Sequence, residues 1–554
     1  MGTTAAPQHA RRRGLSLDDA VAQVLGPDGV LRDAQRDALA GLTERDTVLV
    51  ARTGAGKTAV YAIATLFAGR LTVVVSPLLA LQRDQLDALG AVGLRARALS
   101  SAYTPAQQRR TLEAARAGEV DVVLLAPEQL GRAAVVEALA AADVGLLVVD
   151  EAHCVGEWGH DFRPDYLLLA GAARALGAPR LLALTATASA QVREEIVERL
   201  GMGTDGRAAP RVLVHDADRP NIWLAARTSA SEEDRDAAVV EAALATAGAG
   251  IVYARTRAHV EELARTLGDA GRPALAYHAG LPARERERAQ DAFLSGRADL
   301  VVATSAFGMG VDRPDVRFVL HAGPPTSLDA YYQEAGRAGR DDEPAVAVLF
   351  RTPDDVGLNH YLRSGGAPRG ATLRAVLGAV RRGADDGGAL DRAAVAEAAG
   401  VSGRTVVRAL AALAQVGAVG EERAGWVPRG ERSPAAVVRD VVEEHERRRA
   451  LDRSRVELVR TYADTSDCRR RVLLELLGEE HPERCGRCDS CDAGTSADVV
   501  DAPLRAGQAV VHGEWGGGTV SVVEADRVTV LFEERGYATL DLAVALDSGL
   551  LRPA

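Results

Sequence analysis

One segment near the N-terminus constrains the fold of this chain more than any other. Residues 47–50 (TVLV) have the pattern of a short buried strand, residues 51–58 (ARTGAGKT) follow, and an apolar helical pattern comes next. The glycines let backbone amides converge on phosphate oxygens, the lysine can reach the terminal phosphates, and the last threonine hydroxyl can ligate magnesium. This strand–loop–helix unit predicts a nucleotide site, although Ala51 stands where the strict phosphate-loop pattern has glycine. The predicted ligands are Thr53, Gly54, Gly56, Lys57 and Thr58, of which Thr58 also binds magnesium.

The use of lysine elsewhere supports this prediction. The chain has 66 basic residues, and Lys57 is the only lysine among them. The broad planar guanidinium of arginine cannot replace a compact ammonium group where a loop wraps closely around phosphate. The single lysine therefore stands where its particular chemistry is needed.

Two carboxylates follow a second strongly apolar strand pattern. Residues 144–149 (VGLLVV) lead directly into Asp150 and Glu151. Parallel sheets present their chemistry at the carboxyl ends of the strands. Asp150 suits a magnesium contact, and Glu151 is placed to orient and deprotonate an attacking water. By themselves these could be solvated acids at a strand end, but after a phosphate loop they predict the second half of an ATPase site.

Five further segments occur in a recognisable order. They are residues 31–35 (LRDAQ), 76–78 (SPL), 126–128 (APE), 154–166 (CVGEWGHDFRPDY) and 185–187 (TAT). Together with the phosphate loop and residues 150–153 (DEAH), these segments resemble the superfamily 2 helicases and, more narrowly, the RecQ DNA helicases. The resemblance implies ATP hydrolysis coupled to movement in the 3′ to 5′ direction along DNA.

The resemblance also implies roles for individual side chains. Gln35 would contact adenine, Ser76 would touch the nucleic-acid backbone, and residues 185–187 would couple hydrolysis to movement. Residues 154–166 are rich in aromatic residues in a chain that is only 4% aromatic, and flat rings suit stacking on unpaired bases. Composition alone leaves a hydrophobic plug beneath the sheet equally possible, whereas the family has a loop here that senses single-stranded DNA. The predicted DNA-binding residues are Ser76, Trp158, His160, Phe162 and Arg163.

A second lobe is predicted after residues 219–221 (RPN), which resemble the family's link between lobes. Strand–loop patterns follow without another phosphate loop, as expected for a partner that completes a nucleotide site. Arg337 and Arg340 lie about one helical turn apart in a glycine-broken segment. An arginine that reaches across a cleft stabilises charge on a transferring phosphoryl group. The resemblance gives this role to Arg340 with Arg337 nearby; the alternative is a surface salt bridge.

The C-terminal third departs from the family pattern. Residues 390–427 have the rhythm of helix, turn, helix and strand-like wing that is typical of a winged helix-turn-helix. Arg404 and Arg408 would lie on its second helix and could meet DNA phosphates, although alanine-rich helices often form only a packing unit. In many RecQ relatives a winged helix follows the zinc module, whereas here it precedes the cysteines. The element that separates strands is therefore not evident from the sequence.

Four of the five cysteines cluster near the C-terminus. One distant and three closely spaced thiols fit a tetrahedral structural zinc site, and their flanks resemble the RecQ zinc module. An iron–sulfur cluster is the alternative, because four thiolates also suit it. Arg469, Arg470 and Arg471 beside them are expected to form part of a basic track for DNA. The predicted zinc ligands are Cys468, Cys485, Cys488 and Cys491.

The remaining features bound the class of protein. Residues 507–554 alternate like short strands with glycine-rich turns, which suggests an SH3-like barrel. The start of this segment also looks like the small partner-binding barrel of UvrD/PcrA helicases. A net charge of −11 excludes a passive nucleic-acid coat protein, so DNA contacts must come from local surfaces. No apolar run approaches the roughly 20 residues that span a bilayer, and a cytoplasmic protein without membrane contact is expected.

The predicted fold is α/β. It has two RecA-like parallel-sheet lobes, an inserted winged-helix-like segment, a helical zinc-binding module and a small SH3-like β-barrel. The expected units are residues 1–218, 219–350, 351–440, 441–495 and 503–554.

The leading functional prediction is an ATP-, Mg²⁺- and Zn²⁺-dependent DNA helicase that acts on single-stranded and branched DNA in recombination and repair, with a possible protein partner at the barrel. The alternatives are a DNA-stimulated translocase without strand separation, an RNA helicase of the DEAD/DEAH group, and a DNA-binding regulator in which ATP only switches conformation.

Overall fold

The computed structural model of the protein describes most of the chain. The described residues are 14–52, 54–77, 79–100, 103–155, 166, 168–186, 188–204, 206–215, 218–307, 313–355, 368–422, 425–479, 481, 483–496, 503–532 and 535–554. Among them, no helix combines the length and the apolar character needed to cross a membrane.

The N-terminal lobe is built on a seven-stranded parallel sheet. Its strands are β1 (Thr47–Ala51), β2 (Leu71–Val75), β3 (Ala96–Leu99), β4 (Val122–Leu125), β5 (Val144–Val149), β6 (Arg180–Thr185) and β7 (Arg211–His215). Its helices are α1 (Leu17–Leu25), α2 (Asp33–Glu44), α3 (Lys57–Ala68), α4 (Leu79–Ala91), α5 (Pro105–Arg116), α6 (Ala133–Ala140), α7 (Leu169–Ala175) and α8 (Ala190–Arg199), with 3₁₀ turns at Pro127–Gly131 and Ala152–Val155. The strand order is β3-β4-β2-β5-β6-β1-β7.

Continuous apolar runs explain why these segments form central strands. Every residue of β1, β2 and β4 is buried, because helices cover both faces of the sheet. The two faces form two separate buried apolar clusters. The phosphate loop after β1 and the acids after β5 consequently reach the same edge of the sheet, as the sequence predicts.

The second lobe contains a six-stranded parallel sheet in the order β10-β11-β9-β12-β13-β8. Its strands are β8 (Ile222–Thr228), β9 (Ala249–Ala254), β10 (Leu275–Tyr277), β11 (Leu300–Ala303), β12 (Val316–Ala322) and β13 (Ala345–Arg351). Its helices are α9 (Glu232–Ala245), α10 (Arg257–Asp269), α11 (Ala283–Leu294) and α12 (Leu328–Ala335). The prediction of two parallel-sheet lobes is confirmed.

The inserted segment is a winged helix, also as predicted. Its apolar core gathers residues from its own three helices, from the antiparallel wing and from the start of the long helix that follows. Gly400 ends the first helix of the motif in the left-handed conformation, with φ of 65°. The elements are α13 (Gly370–Asp385), α14 (Arg392–Ala399), α15 (Gly403–Gln415), β14 (Val419–Glu422) and β15 (Gly425–Pro428). Arg404 and Arg408 are exposed on α15.

A single helix of 31 residues, α16 (Pro434–Asp464), joins the winged helix to the cysteine module. Its start is set by Pro434 in the first turn and by the Ser433 side chain, which accepts a hydrogen bond from the Ala436 amide. The expected boundary between residues 440 and 441 falls inside this helix. No glycine or proline interrupts the segment after Pro434, so the two units share one continuous helix.

The C-terminal end combines the cysteine module with a small β unit. The module contains α17 (Arg469–Leu476) and α18 (Asp489–Asp492). The β unit is a five-stranded antiparallel sheet with its own apolar core, consistent with the predicted barrel. Its elements are β16 (Ala509–His512), β17 (Gly516–Val523), β18 (Arg527–Phe532), β19 (Gly536–Asp541), α19 (Leu542–Asp547) and β20 (Leu551–Pro553).

Candidate functional site

The phosphate loop connects β1 to α3 in the predicted way. Gly54 and Gly56 have φ of 86° and 76°, a region that side chains other than glycine rarely enter. Gly56 caps the N-terminus of α3, so the amides of the first turn point toward the loop. The Lys57 ammonium donates to the Ala51 carbonyl at 3.0 Å. Thr53 lies outside the described residues.

Gln35 contacts this loop directly. Its side-chain amide donates to the carbonyls of Ala55 at 3.3 Å and Gly56 at 3.2 Å. Arg32, at the start of the same helix, donates to the Gly54 carbonyl at 2.8 Å. The segment that the resemblance links to adenine therefore adjoins the phosphate loop, and adenine contact by Gln35 stays a prediction.

Asp150 lies buried at the end of β5. Its carboxylate accepts hydrogen bonds from the Gln85 amide at 2.8 Å and from the Glu151 amide at 3.0 Å. Burial, followed by the nearby Glu151 charge, raises the pKa of Asp150 to about 6, while Lys57 opposes the rise. The phosphate-loop lysine and the two acids thus share one pocket. Nothing in the sequence pattern marked Gln85 as a partner, because its contact comes from a different helix.

Glu151 has a left-handed backbone, with φ of 49°. Its carboxylate lies 3.4 Å from Nδ1 of His153, which is itself 2.9 Å from the Thr185 hydroxyl. This chain of contacts joins the acidic segment to Thr185, the first residue of the segment predicted to couple hydrolysis to movement. Backbone strain of this kind is often found at functional sites.

The second lobe brings arginines to the same cleft. Burial lowers the pKa of Lys57, the charges of Glu151 and Asp150 oppose this shift, and the positive charge of Arg340 adds to it. Arg337 is buried and hydrogen-bonds the Tyr253 hydroxyl. An ion pair of 3.5 Å between Arg52 and Asp342 also crosses the cleft.

The link between the lobes supports this arginine segment. Arg219 donates to the carbonyls of Gly336, Ala338 and Gly339 at 2.7–2.8 Å. Asn221 donates to the carbonyls of Gly339 and Glu343 at 2.7 and 2.9 Å. Residues 219–221 therefore hold the backbone that presents Arg337 and Arg340.

The four predicted zinc ligands meet in space. The sulfur atoms of Cys468, Cys485, Cys488 and Cys491 all lie within 4.8 Å of one another. Backbone amides donate to three of the sulfurs at 3.3–3.4 Å, as expected for thiolates. Four such ligands at this spacing fit a tetrahedral zinc ion.

The expected basic track beside the cysteines is wrong. Arg469, Arg470 and Arg471 are 6%, 3% and 1% exposed. They form ion pairs with Asp489, Asp218 and Asp467 respectively, which compensates each buried positive charge. The three arginines therefore fasten the cysteine module to itself and to the second lobe, and they present no surface to DNA.

Comparison with known proteins follows the same division of the chain. Three family models match successive parts of the chain. The model described as DEAD/DEAH box helicase matches residues 32–196, helicase conserved C-terminal domain matches residues 236–342, and RecQ zinc-binding matches residues 433–492. A fourth, a protein family of unknown function (DUF3553), covers residues 504–547. The ATP-dependent DNA helicase RecQ of Bacillus subtilis is 30% identical over 478 residues, which cover 85% of this chain and 66% of that protein. This chain belongs to the RecQ family of superfamily 2 helicases.

Other RecQ relatives match mainly the two lobes. The ATP-dependent DNA helicase RecQ of Pasteurella multocida is 38% identical over 335 residues, 60% of this chain. The chain spans about half of that relative, 51% of its length. In solved structures, the Mycobacterium smegmatis helicase Lhr bound to single-stranded DNA and AMP-PNP has a TM-score of 0.51 at 21% identity, covering 78% of this chain and 62% of Lhr. That likeness concerns the fold alone.

The predicted DNA-binding residues of this RecQ family member remain predictions. Trp158, His160, Phe162 and Arg163 lie outside the described residues. Ser76 follows β2 at the expected edge of the sheet, but its side chain is fully buried. Contact between the Ser76 hydroxyl and a DNA phosphate would therefore require its neighbours to move.

Metal analysis should find about one zinc ion per chain. We expect Cys488→Ser to lose the ion and to lower the melting temperature, because the free energy of binding a structural zinc ion contributes to folding. The measurements are elemental analysis and thermal unfolding. The control is Ala525→Ser, which introduces the same residue on an exposed turn of the β unit. Iron together with a visible absorption band would instead indicate an iron–sulfur cluster.

Proposed function

We propose that the protein is an ATP- and Mg²⁺-dependent DNA helicase. In this proposal it moves 3′ to 5′ along single-stranded DNA and unwinds duplex or branched DNA in recombination and repair, in the cytoplasm. The observation that carries the proposal is the shared cleft, which an ion pair of 3.5 Å between Arg52 of the phosphate loop and Asp342 of the second lobe crosses two residues beyond Arg340. Hydrolysis at such a cleft can convert opening and closing of the lobes into steps along a strand.

The residues of the cleft divide the chemistry between them. Lys57 and the loop amides hold the phosphates, Glu151 orients and deprotonates the attacking water, and Arg340 stabilises charge on the transferring phosphoryl group. Magnesium, when bound, neutralises charge on the phosphate oxygens.

Thr58 and Asp150 fit a magnesium ion by chemistry and position. Both offer oxygen donors, which this cation prefers. The pKa of Tyr61 is raised by burial and by the Asp150 charge, and lowered by a hydrogen bond with Thr58. The two predicted ligands therefore lie beside the same tyrosine.

Magnesium affinity should fall as the pH drops below about 6. The raised pKa of Asp150 means that this carboxyl takes up a proton near pH 6 in the metal-free protein, and a protonated carboxyl is a poor ligand. The measurement is a Mg²⁺ titration of nucleotide-free protein between pH 5 and pH 8 by calorimetry. With Asp150→Asn we expect weak binding and no step near pH 6. An unchanged affinity across this range in the unaltered protein would remove Asp150 from the site.

Two observations support DNA as the nucleic acid. The relatives are named as DNA helicases, and the winged helix exposes Arg404 and Arg408 on the helix that meets DNA in proteins with this motif. The C-terminal β unit is proposed to bind a protein partner. An RNA helicase of the DEAD/DEAH group is less well supported, because the RecQ zinc-binding family model matches this chain.

A DNA-stimulated translocase is the second candidate function. The winged helix precedes the zinc module and contacts the N-terminal lobe through Arg392 and Gly131. A unit held in this position is not free to follow the zinc module toward a duplex end. Movement along DNA without strand separation would result if no other element acts as a wedge.

Strand separation on matched duplexes tests the proposal. The substrates carry a 3′ or a 5′ single-stranded tail, each in a DNA and an RNA version. We expect ATP-dependent unwinding from the 3′ DNA tail only. DNA-stimulated hydrolysis without unwinding would favour the translocase, and unwinding of RNA duplexes would favour the DEAD/DEAH alternative.

A further inference from the structure

The winged helix is packed against the N-terminal lobe close to the catalytic acids. Leu168, just before α7, is 9% exposed and belongs to the same buried cluster as Val395, Val406 and Trp426 of the winged helix. The N-terminal lobe thus contributes an apolar side chain to the core of the inserted unit. Close packing of this kind fixes the position of Leu168 as long as the winged helix stays packed against the N-terminal lobe.

Two glycines of the N-terminal lobe make room for charged side chains of the inserted unit. A Cβ atom added at Gly131 would lie 2.9 Å from the Arg392 guanidinium, which is also 3.5 Å from the Gly131 carbonyl. A Cβ atom added at Gly171 would lie 2.8 Å from the Glu421 carboxylate on the wing. The inserted unit is therefore closely fitted to the N-terminal lobe at two points.

Tyr166 lies only two residues before Leu168 and is fully buried. Its hydroxyl donates to the main-chain carbonyl of Asp150 at 3.2 Å. That carbonyl belongs to the peptide that leads into Glu151, whose left-handed φ of 49° is costly for a residue other than glycine. The direction of this peptide sets where both carboxylates point.

The N–H of the same peptide is also held, because the Glu151 amide donates to the Asp150 carboxylate at 3.0 Å. In the two adjoining peptides, the Asp150 amide donates to the Val75 carbonyl and the Cys154 amide donates to the Glu151 carbonyl, both at 2.9 Å. The Tyr166 hydroxyl is the side-chain group that bonds the carbonyl between the two acids. A displacement of Leu168 should also displace Tyr166, because the two residues are joined by at most about 7 Å of chain.

We propose that the seated winged helix supports the catalytic carboxylates: it fixes Leu168 and, through the neighbouring Tyr166, holds the Asp150–Glu151 peptide in the conformation that hydrolysis requires. Tyr166 is a positioning residue, since it acts through the Asp150–Glu151 peptide. The inserted unit then has a role in ATP turnover in addition to any contact with DNA. This inference rests on the proposed ATPase function of the cleft.

Two variants of the whole 554-residue chain test the inference. Gly171→Leu places a side chain where the Glu421 carboxylate lies and should lift the wing from its seat, whereas Gly90→Leu makes the same change on an exposed helical glycine with open space around it. Tyr166→Phe keeps the ring and removes the hydroxyl that donates to the Asp150 carbonyl. We expect kcat for ATP to fall about three- to tenfold in Tyr166→Phe and by a similar factor in Gly171→Leu, because one lost hydrogen bond changes a rate by that order.

Affinity for ATP separates positioning from general damage. Neither change touches the phosphate loop, so KM for ATP and the affinity for a non-hydrolysable analogue should stay within about twofold of the unaltered protein. Hydrogen exchange gives a readout that is independent of turnover. The Cys154 amide, which donates to the Glu151 carbonyl, should exchange its hydrogen faster in both variants. Its exchange rate should be unchanged in Gly90→Leu.

Unchanged kcat and unchanged exchange in Tyr166→Phe would overturn the inference. If Gly171→Leu does not fold, Tyr166→Phe alone decides. Loss of analogue binding in either variant would also overturn it, because the effect would then not be confined to the acids. Failure of the proposed function is a different result: the unaltered protein would hydrolyse no ATP, although the exchange measurement could still show the packing contact.

Discussion

Replacing Lys57 by alanine should reduce ATP turnover by at least about 10²-fold, because the ammonium group stabilises charge on the terminal phosphates. The folded protein should persist. Burial lowers the pKa of Lys57, which means that the folded state is penalised for holding this charge. Removing the charge should therefore leave the melting temperature unchanged or slightly raised. The measurements are steady-state ATP hydrolysis and thermal unfolding.

Two further variants sharpen this test. Lys57→Arg keeps the positive charge but should also be inactive, because the planar guanidinium is too broad for the space beneath the loop. Arg265→Ala, on an exposed part of the second lobe, is the control and should hydrolyse ATP normally. Substantial turnover in Lys57→Ala would remove the phosphate-loop assignment.

Arg340→Ala should lower kcat by about 10³-fold, because an arginine that reaches the transferring phosphoryl group contributes by this order. ATP binding should be nearly retained, since the phosphate loop lies on the other lobe. The measurements are kcat at saturating ATP and the affinity for a non-hydrolysable analogue. Arg284→Ala, exposed on α11, is the matched control.

Arg337→Ala should give a different pattern. Arg337 is buried and bonded to Tyr253, so its loss should lower the melting temperature as well as turnover. If Arg340→Ala instead abolished ATP binding and left kcat unchanged, Arg340 would be a binding residue and not a group that acts on the transition state.

Much of the catalytic cleft could be predicted because it depends on local patterns. A buried strand that ends in a glycine-rich loop specifies the position of Lys57, and a second buried strand specifies Asp150 and Glu151. Both strands are apolar along their whole length, so both must lie inside a parallel sheet. Parallel strands then bring their carboxyl ends to one edge, whatever lies between them in sequence.

The contacts that sequence patterns did not reveal join distant parts of the chain. Arg470 stands in a run of three arginines that suggested a surface for DNA, but its partner Asp218 is 252 residues away. The ion pair of Arg52 with Asp342 is of the same kind. A charge pattern shows which residues need partners, and only the packed fold shows where the partners are.

The length of α16 was also missed, for a different reason. The sequence suggested a change of unit near residue 440, where the zinc-module resemblance resumes. Helix-forming residues nevertheless continue without a break, and local propensity allows one helix to serve both units. A resemblance that begins at a residue does not imply that a structural element begins there.

ATP hydrolysis by the unaltered protein, with and without single-stranded DNA, tests the central claim most directly. If Lys57, Glu151 and Arg340 act together on ATP in a motor that moves on DNA, hydrolysis should require Mg²⁺. Its rate should also rise severalfold when single-stranded DNA is added. Single-stranded RNA of the same sequence should stimulate it much less. Hydrolysis at the same rate with and without DNA, or no hydrolysis at all, would contradict the claim.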